Sequence, residues 1–221
     1  ASRQEVAVFA NDQRLDIEFQ REYREVNLVV ADDILYAVGQ FDHDTVTFWP
    51  HAYTTTTTAY SISDGTKQWQ KTLRGPVTIL STTPDGLWLA HQKDWEERDV
   101  EIHSQNHGWD HLGRNFDWGH DIYHINKQGD IITSFEALGC IPLFGKQIDD
   151  EFVIGFAATG EGRGKICYYN VASGELTRTV EYEHYLINGG ILANNSMVLL
   201  VWNDTPGRMD VSRLTKHGEE I

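Results

Sequence analysis

Four glycine-containing turns recur along the chain at nearly regular distances. They contain Gly65, Gly129, Gly174 and Gly218, and each separates two short runs of strand-forming residues. The intervals between these glycines are 64, 45 and 44 residues. Glycine accepts the positive φ angles of tight hairpin turns without a steric penalty. A period of this length indicates an array of one repeated supersecondary unit.

A second pair of short alternating segments precedes each of these hairpins, so that the repeated unit contains four strands, here named a, b, c and d. Segments with helical periodicity are scarce. The predicted a and b strands are residues 26–31 and 34–39, 77–82 and 87–92, 140–146 and 152–157, and 187–192 and 197–202.

The four-strand unit predicts an all-β protein, a β-propeller of four-stranded blades. We expect four complete blades, at 26–75, 76–139, 140–184 and 185–221, after a partial N-terminal blade at 1–25. A five-bladed ring and part of a larger ring both fit this count. A sandwich or barrel built from hairpins is the alternative fold.

One turn carries a family resemblance. Residues 63–69, Ser-Asp-Gly-Thr-Lys-Gln-Trp, resemble the D-G-x-x-x-W ending of quinoprotein-like (PQQ-like) and WD40-like propeller repeats, and 126–132 and 172–176 are similar in form. The resemblance implies a propeller fold. Quinone-dependent enzymes have regularly spaced docking tryptophans, whereas Thr133, Thr177 and Glu220 stand in the other copies. We therefore expect no quinone and no other cofactor.

The charge balance bears on partners. The chain has 33 acidic and 18 basic residues and a formal net charge of −15. Such a surface repels phosphate backbones, which argues against nucleic-acid binding, and it attracts basic partners, although it also serves solubility. No apolar run approaches the roughly 20 residues of a membrane helix. Without a recognisable signal peptide, we expect a cytoplasmic location; oligomeric state stays open.

Both cysteines, Cys140 and Cys167, lie in apolar strand-like contexts without a C-x-x-C pair, so we expect buried free thiols.

Two of the predicted b–c connections are long, at 41–58 and 93–120, whereas those at 159–164 and 203–207 are short. The long connections hold four of the seven tryptophans. Aromatic side chains on projecting loops favour recognition, although they could instead pack together and support the loop. The predicted binding residues are Phe48, Trp49, His51, Tyr53, Trp95, Glu96, Glu97, Trp109, Asp110 and Trp118.

Histidines are concentrated in and beside the second long connection. The spacing of His103, His107 and His111 would align three imidazoles on one helical face, which a zinc site could use. Gly108 interrupts such a helix, and no H-E-x-x-H motif occurs. We therefore expect no metal, and these three histidines are the only candidates for one.

These observations together predict a non-enzymatic scaffold that binds a protein partner through acidic, aromatic b–c loops, with neutralisation of a basic toxin as a special case. No G-x-S-x-G elbow or phosphate-binding loop is present, and no catalytic residue is predicted. The alternatives are a carbohydrate-binding, lectin-like module and a metal-dependent lyase or hydrolase that uses the histidine-rich loop.

Overall fold

A computed structural model describes residues 4–10, 13–19, 25–42, 53–92, 118–157, 164–182, 185–202 and 208–221. All regular secondary structure in these ranges is β-strand. The same ranges contain no helix that is long and apolar enough to cross a membrane. The all-β prediction is confirmed.

The first two sheets lie in the N-terminal third of the chain. A two-stranded antiparallel sheet precedes a four-stranded one in which consecutive strands pair in the order β3-β4-β5-β6. The strands are β1 (Gln4–Ala10), β2 (Gln13–Phe19), β3 (Glu25–Ala31), β4 (Ile34–Asp42), β5 (Tyr53–Ser61) and β6 (Lys67–Arg74).

Two further four-stranded sheets follow, in the orders β7-β8-β9-β10 and β11-β12-β13-β14. Their strands are β7 (Val77–Thr83), β8 (Gly86–Gln92), β9 (Trp118–Asn126), β10 (Ile131–Gly139), β11 (Ile141–Ile148), β12 (Glu151–Ala157), β13 (Lys165–Asn170) and β14 (Leu176–Glu181).

The last sheet differs from the expected four strands. It contains β15 (Tyr185–Ile191), β16 (Met197–Trp202) and β17 (Met209–Leu214). After the turn at Gly218, only a Leu214–Glu220 bridge and one hydrogen bond, from Ile221 N to Arg213 O at 2.9 Å, stand where a d strand was expected. The expected turn is therefore present, but within residues 208–221 no d strand follows it.

The chain divides into two compact units. The first comprises Ala1–Val77, Thr82–Leu87 and His124–Ile132, and the second comprises Thr78–Ser81, Trp88–Tyr123 and Thr133–Ile221. The expectation of a single β-propeller domain over residues 1–221, with the blade bounds given above, stays a prediction.

Within the second unit, apolar side chains bury both faces of the sheet β11-β12-β13-β14. On β12, Phe152 and Ile154 join a cluster with Trp88 of β8, whereas Val153 joins another with Leu199 of β16. Alternation along a strand sends successive side chains to opposite faces, so a strand buried on both faces is apolar throughout. The sequence Phe-Val-Ile-Gly-Phe of β12 has this composition, and all five residues are buried. Cys140 and Cys167 are buried free thiols, as expected.

The c–d turns have the predicted backbone conformation. The φ angles of Gly65, Gly129, Gly174 and Gly218 are 72°, 89°, 71° and 81°. Three a–b turns use a polar residue instead, because Asp32, Asp149 and Asn195 have φ angles of 53°, 57° and 62°. Asp and Asn tolerate this left-handed region better than other side chains do.

Side chains connect turns of successive sheets. In the first unit, Trp69 of β6 donates from Nε1 to Lys127 O at 2.8 Å, and its ring would lie 2.8 Å from a Cβ placed on Gly129. In the second unit, Arg178 of β14 donates from Nη1 to His217 O at 2.6 Å. Each of these residues comes four positions after its own turn glycine. The resemblance had suggested Thr177 for this position in the third copy, but Arg178 makes the contact.

Ion pairs reinforce two of these turn contacts. Lys127 Nζ lies 2.7 Å from Asp32 Oδ2 and 2.8 Å from Asp33 Oδ1. Lys216 Nζ lies 3.2 Å from Asp149 Oδ2. In both cases a lysine two residues before a c–d turn glycine pairs with the a–b turn of the preceding sheet.

The run of five threonines lies in β5, so the predicted b–c connection at 41–58 was too long: the β-branched threonines belong to the strand. Thr55, Thr56, Thr57 and Thr58 are all buried. Thr55 Oγ1 donates to Gly75 O at 2.8 Å, and Thr56 Oγ1 lies 3.2 Å from Thr72 Oγ1. Hydrogen bonds of this kind reduce the cost of burying hydroxyl groups.

Candidate functional site

The two long b–c connections are rooted between β4 and β5 and between β8 and β9. Because each sheet is a meander, a b–c connection leaves the end of its sheet opposite to the a–b and c–d turns. The β8–β9 connection, residues 93–117, is much longer than those of the last two sheets, from Ala157 to Lys165 and from Trp202 to Met209. The β4–β5 connection, residues 43–52, is only slightly longer than these two, because β5 already begins at Tyr53. The expected excess of length is therefore present in the second long connection, whereas the first was predicted too long.

Most of the predicted binding residues lie outside the described residues. Tyr53 is the first residue of β5 and Trp118 the first of β9, so both are at strand termini. The other predicted binding residues, and the three candidate metal ligands, fall outside the described ranges; they are Phe48, Trp49, His51, Trp95, Glu96, Glu97, Trp109, Asp110, His103, His107 and His111. Their roles stay predictions.

The described part of the site is the root of the second long connection, where β8 ends and β9 begins. His91 and Tyr123 stack with ring centroids 6.3 Å apart and an interplanar angle of 18°. Tyr123 Oη donates to Asp121 Oδ2 at 2.9 Å. Asp121 and Tyr123 are two residues apart on β9, so they share one face of the strand.

The Tyr123 hydroxyl remains a hydrogen-bond donor over the whole physiological range. Burial raises the pKa of Tyr123 to about 12, and the hydrogen bond to Asp121 and its negative charge act in the same direction. A carboxylate beside a phenol disfavours the phenolate, because the phenolate would be a second negative charge.

Two histidines of β9 are part of the folded framework: His120 lies near the root, and His124 lies at the opposite end of the strand, beside the end of β7. His120 is buried, its Nε2 lies 3.1 Å from Gly139 O and 3.0 Å from Cys140 O, and its ring lies 5.7 Å from that of Phe156. His124 Nε2 lies 3.3 Å from Thr83 Oγ1, and burial lowers the pKa of His124. Buried histidines of this kind fix strand ends, which explains part of the histidine concentration in the sequence.

Glycine allows a carboxylate to lie over the start of β9. A Cβ added to Gly119 would lie 2.9 Å from Glu136 Oε1, so a larger residue there would displace the Glu136 side chain. Within the described ranges, no three His, Cys, Asp or Glu side chains are grouped closely enough to hold a metal ion.

The described root therefore combines a stacked pair of rings with a phenol that donates to a carboxylate. Sequence reasoning had noted His91 and Asp121 only as part of a charged cluster and had missed Tyr123. The signal for Tyr123 was its spacing of two residues from Asp121 in a predicted strand.

Comparisons with known proteins support the fold. No family model and no curated protein matches the chain. The β-propeller domain of the Trilobed protease from Pyrococcus furiosus is similar, with 11% identity, a TM-score of 0.51, and coverage of 90% of this chain and 57% of that chain. A Pyrococcus horikoshii acylaminoacyl peptidase has 10% identity and a TM-score of 0.56, with coverage of 98% of this chain and 34% of that chain. The Dos1 propeller has 9% identity and a TM-score of 0.55, with coverage of 98% and 52%.

The fold is that of a β-propeller built from four-stranded blades. The chain spans between about a third and somewhat more than half of these three solved chains. At such low identity the likeness concerns the fold alone, and none of the activities named for those proteins transfers with it. No family model supports a quinoprotein-like or WD40-like family in particular.

Proposed function

We propose that this β-propeller is a binding scaffold that holds a basic protein partner with its two long b–c connections. Neutralisation of a basic enzyme, such as a toxin, is the special case that its acidity favours. The proposal rests on one observation: the β8–β9 connection, residues 93–117, is far longer than a link between two strands requires and contains Trp95 and Trp109, and the β4–β5 connection contains Trp49.

Rigid sheets beneath these connections support the proposal. The root of the second connection is fixed by the buried His120 and by the stacked pair of His91 and Tyr123. A loop on a rigid root loses less conformational entropy when it binds, and short connections would have sufficed to join the strands. The extra residues therefore favour recognition.

The charge of the chain suggests that the partner carries a positive net charge. The formal net charge is −15, and the second connection alone contains Asp94, Glu96, Glu97, Asp99 and Glu101. Charges at the rim of an interface mainly raise the association rate of an oppositely charged partner.

The test begins with a pull-down that identifies the protein bound by the wild-type chain, followed by affinity measurements on the purified pair. Trp49→Ala, Trp95→Ala and Trp109→Ala should each weaken binding by about 1–3 kcal/mol, because interface tryptophans often contribute this much. Circular dichroism and urea unfolding check that each variant remains folded.

Leu176→Ala is the matched control, because Leu176 is exposed at the glycine-turn end of β14. Its affinity should equal that of the wild type. The proposal is wrong if the three tryptophan variants bind normally, if they unfold the protein, or if cross-linking places the partner at the glycine turns.

A further inference from the structure

The chain contains one Asn-Gly dipeptide, Asn188-Gly189, and it lies in β15. This strand is at the edge of the last sheet, whose order is β15-β16-β17. Asn188 pairs with Leu200 and Gly189 with Leu199, and the register shifts between Leu186 and Asn188. The Asn188 side chain is exposed.

The backbone amide of Gly189 is directed towards the side chain that precedes it. Gly189 N donates to Asn188 Oδ1 at 2.8 Å. In an edge strand, alternate backbone N–H groups point away from the neighbouring strand and are not part of the ladder. The amide nitrogen therefore lies beside the carboxamide group of Asn188.

We propose that Asn188 is a site of spontaneous deamidation and isomerisation. Gly189 N loses its proton to solvent hydroxide and attacks Cγ of Asn188; a new C–N bond forms, and the side-chain nitrogen leaves as ammonia. Water then hydrolyses one of the two C–N bonds of the cyclic imide and gives aspartate or isoaspartate. The sequence consumes one water, releases one ammonia and changes no oxidation state. Asparagine is a thermolabile residue, and a following glycine has no side chain to shield the nitrogen.

A related dipeptide elsewhere in the chain lacks this arrangement. In Asp64-Gly65, Gly65 N donates to Ser61 O at 2.9 Å, and Asp64 Oδ1 accepts from Thr66 N at 3.0 Å and from Thr66 Oγ1 at 2.8 Å. These bonds lower the pKa of Asp64 and keep it ionised, and a carboxylate is a poor electrophile. Its amide nitrogen is also occupied by another acceptor.

The same contrast holds for Asn194, whose Oδ1 accepts from both the backbone N and the hydroxyl of Ser196, at 3.1 and 2.7 Å. Asp64 and Asn194 are therefore internal references for the chemistry at Asn188.

Conversion at Asn188 would affect packing as well as charge. A Cβ added to Gly189 would lie 2.4 Å from Phe144 Cε1, so the backbone of β15 is in close contact with that ring. Isoaspartate inserts one methylene into the backbone and shifts the following residues relative to β16. The cluster that contains Phe144, Leu186 and Leu199 should therefore loosen.

The experiment incubates the full chain, folded or in urea, at mildly alkaline pH, and maps its peptides by mass spectrometry. Isoaspartate is detected by enzymatic methylation. In the folded protein Asn188 should convert at a rate within about tenfold of the unfolded chain, because edge strands open locally at low cost. Asn194 and Asp64 should remain unchanged. The converted fraction should unfold at a lower urea concentration.

Two variants complete the test. Asn188→Gln should abolish conversion, because glutamine would have to close a less favourable six-membered ring. Gly190→Ala should retain it, since a Cβ there has no neighbour within 4 Å. The proposal is overturned if Asn188 in the folded protein converts more than about ten times more slowly than in the unfolded chain. It is also overturned if Asn194 converts as fast as Asn188.

Discussion

At the scale of single residues, two tyrosines differ in what their hydroxyl groups contact. Tyr36 is fully buried, and within the described part of the chain its Oη has no hydrogen-bond partner. Burial raises the pKa of Tyr36, so the hydroxyl keeps its proton. Tyr123, by contrast, donates to Asp121.

This difference predicts opposite results for one chemical change. Tyr36→Phe should leave the free energy of unfolding unchanged or raise it by up to about 1 kcal/mol, because it removes a buried polar group without a partner. Tyr123→Phe should lower it by about 1 kcal/mol, because it removes a real hydrogen bond. Urea unfolding measures both. A loss at Tyr36 as large as that at Tyr123 would contradict the assignment.

Glycine positions offer a second matched pair. Gly174 has a φ of 71°, and a Cβ there would lie 2.7 Å from Phe135 Cβ. Gly174→Ala should therefore lower the free energy of unfolding by about 1 kcal/mol or more, and Gly174→Val by more still. Gly190→Ala, with open space around its Cβ, should change it by less than about 0.5 kcal/mol. Equal losses would show that crowding at the turn is not the cause.

At the scale of elements, contacts between turns give the first unit a dependence on acid. Hydrogen bonding to Lys127 lowers the pKa of Asp33, and its own backbone amide adds to the effect. A carboxyl group with a lowered folded pKa stabilises the fold above its ordinary value of 3.8, and that stabilisation is lost as the pH falls through the lowered value.

Lys127→Met should therefore be less stable than the wild type at neutral pH, and the two stability curves should converge in strong acid. Lys67→Met, which removes an exposed hydrogen bond to Gln70 in the same unit, is the control and should run parallel to the wild type. Added salt should reduce the difference at neutral pH, because these charges are exposed. Curves that stay apart in acid would exclude the ion pairs as the cause.

The sequence predicted the elements better than their contacts. Strands and c–d turns were predictable because alternation and glycine act locally, as at Gly129 and in β12. The pairing of Lys127 with Asp32 joins residues 95 positions apart, and no local pattern indicates it. Arg178 was missed because the resemblance led to a search for an aromatic ring, whereas a guanidinium group makes the corresponding hydrogen bond to a turn carbonyl.

For the candidate site, the sequence predicted that the β8–β9 connection is long, because an excess of residues between two recognisable strands is visible in the spacing alone. It overestimated the β4–β5 connection, because the threonines at 54–58 were counted in the connection although they belong to β5. The contacts at their root were not predictable. The concentration of histidines in the sequence did not reveal that His120 is buried with its Nε2 beside two backbone carbonyls.

At the scale of the whole molecule, the net charge of −15 should act mainly on the rate of association. The double variant Glu96→Lys, Glu97→Lys should slow association with a basic partner, with a smaller effect on dissociation, and added salt should mask the change. Stopped-flow mixing measures the rate. The control double variant Glu175→Lys, Glu181→Lys changes the net charge by the same amount, but its substitutions lie in β14 and in the turn before it. If the control slows association as much as the variant at Glu96 and Glu97 does, the overall charge and not the long connection attracts the partner.

The buried threonines of β5 also affect how the chain reaches its fold. Thr55 pairs with Gln40 and Leu73, and Thr56 with Gly39 and Thr72. If β5 slipped by one residue relative to β4 and β6, most positions of the run would still hold a threonine. The threonine side chains therefore hardly distinguish the correct register from a register shifted by one residue. The information that aligns β5 must lie at its end, in the Ala59–Tyr60 bulge and the Gly65 turn. Formation of that turn before the strands pair would therefore protect the chain from misaligned, slowly corrected intermediates.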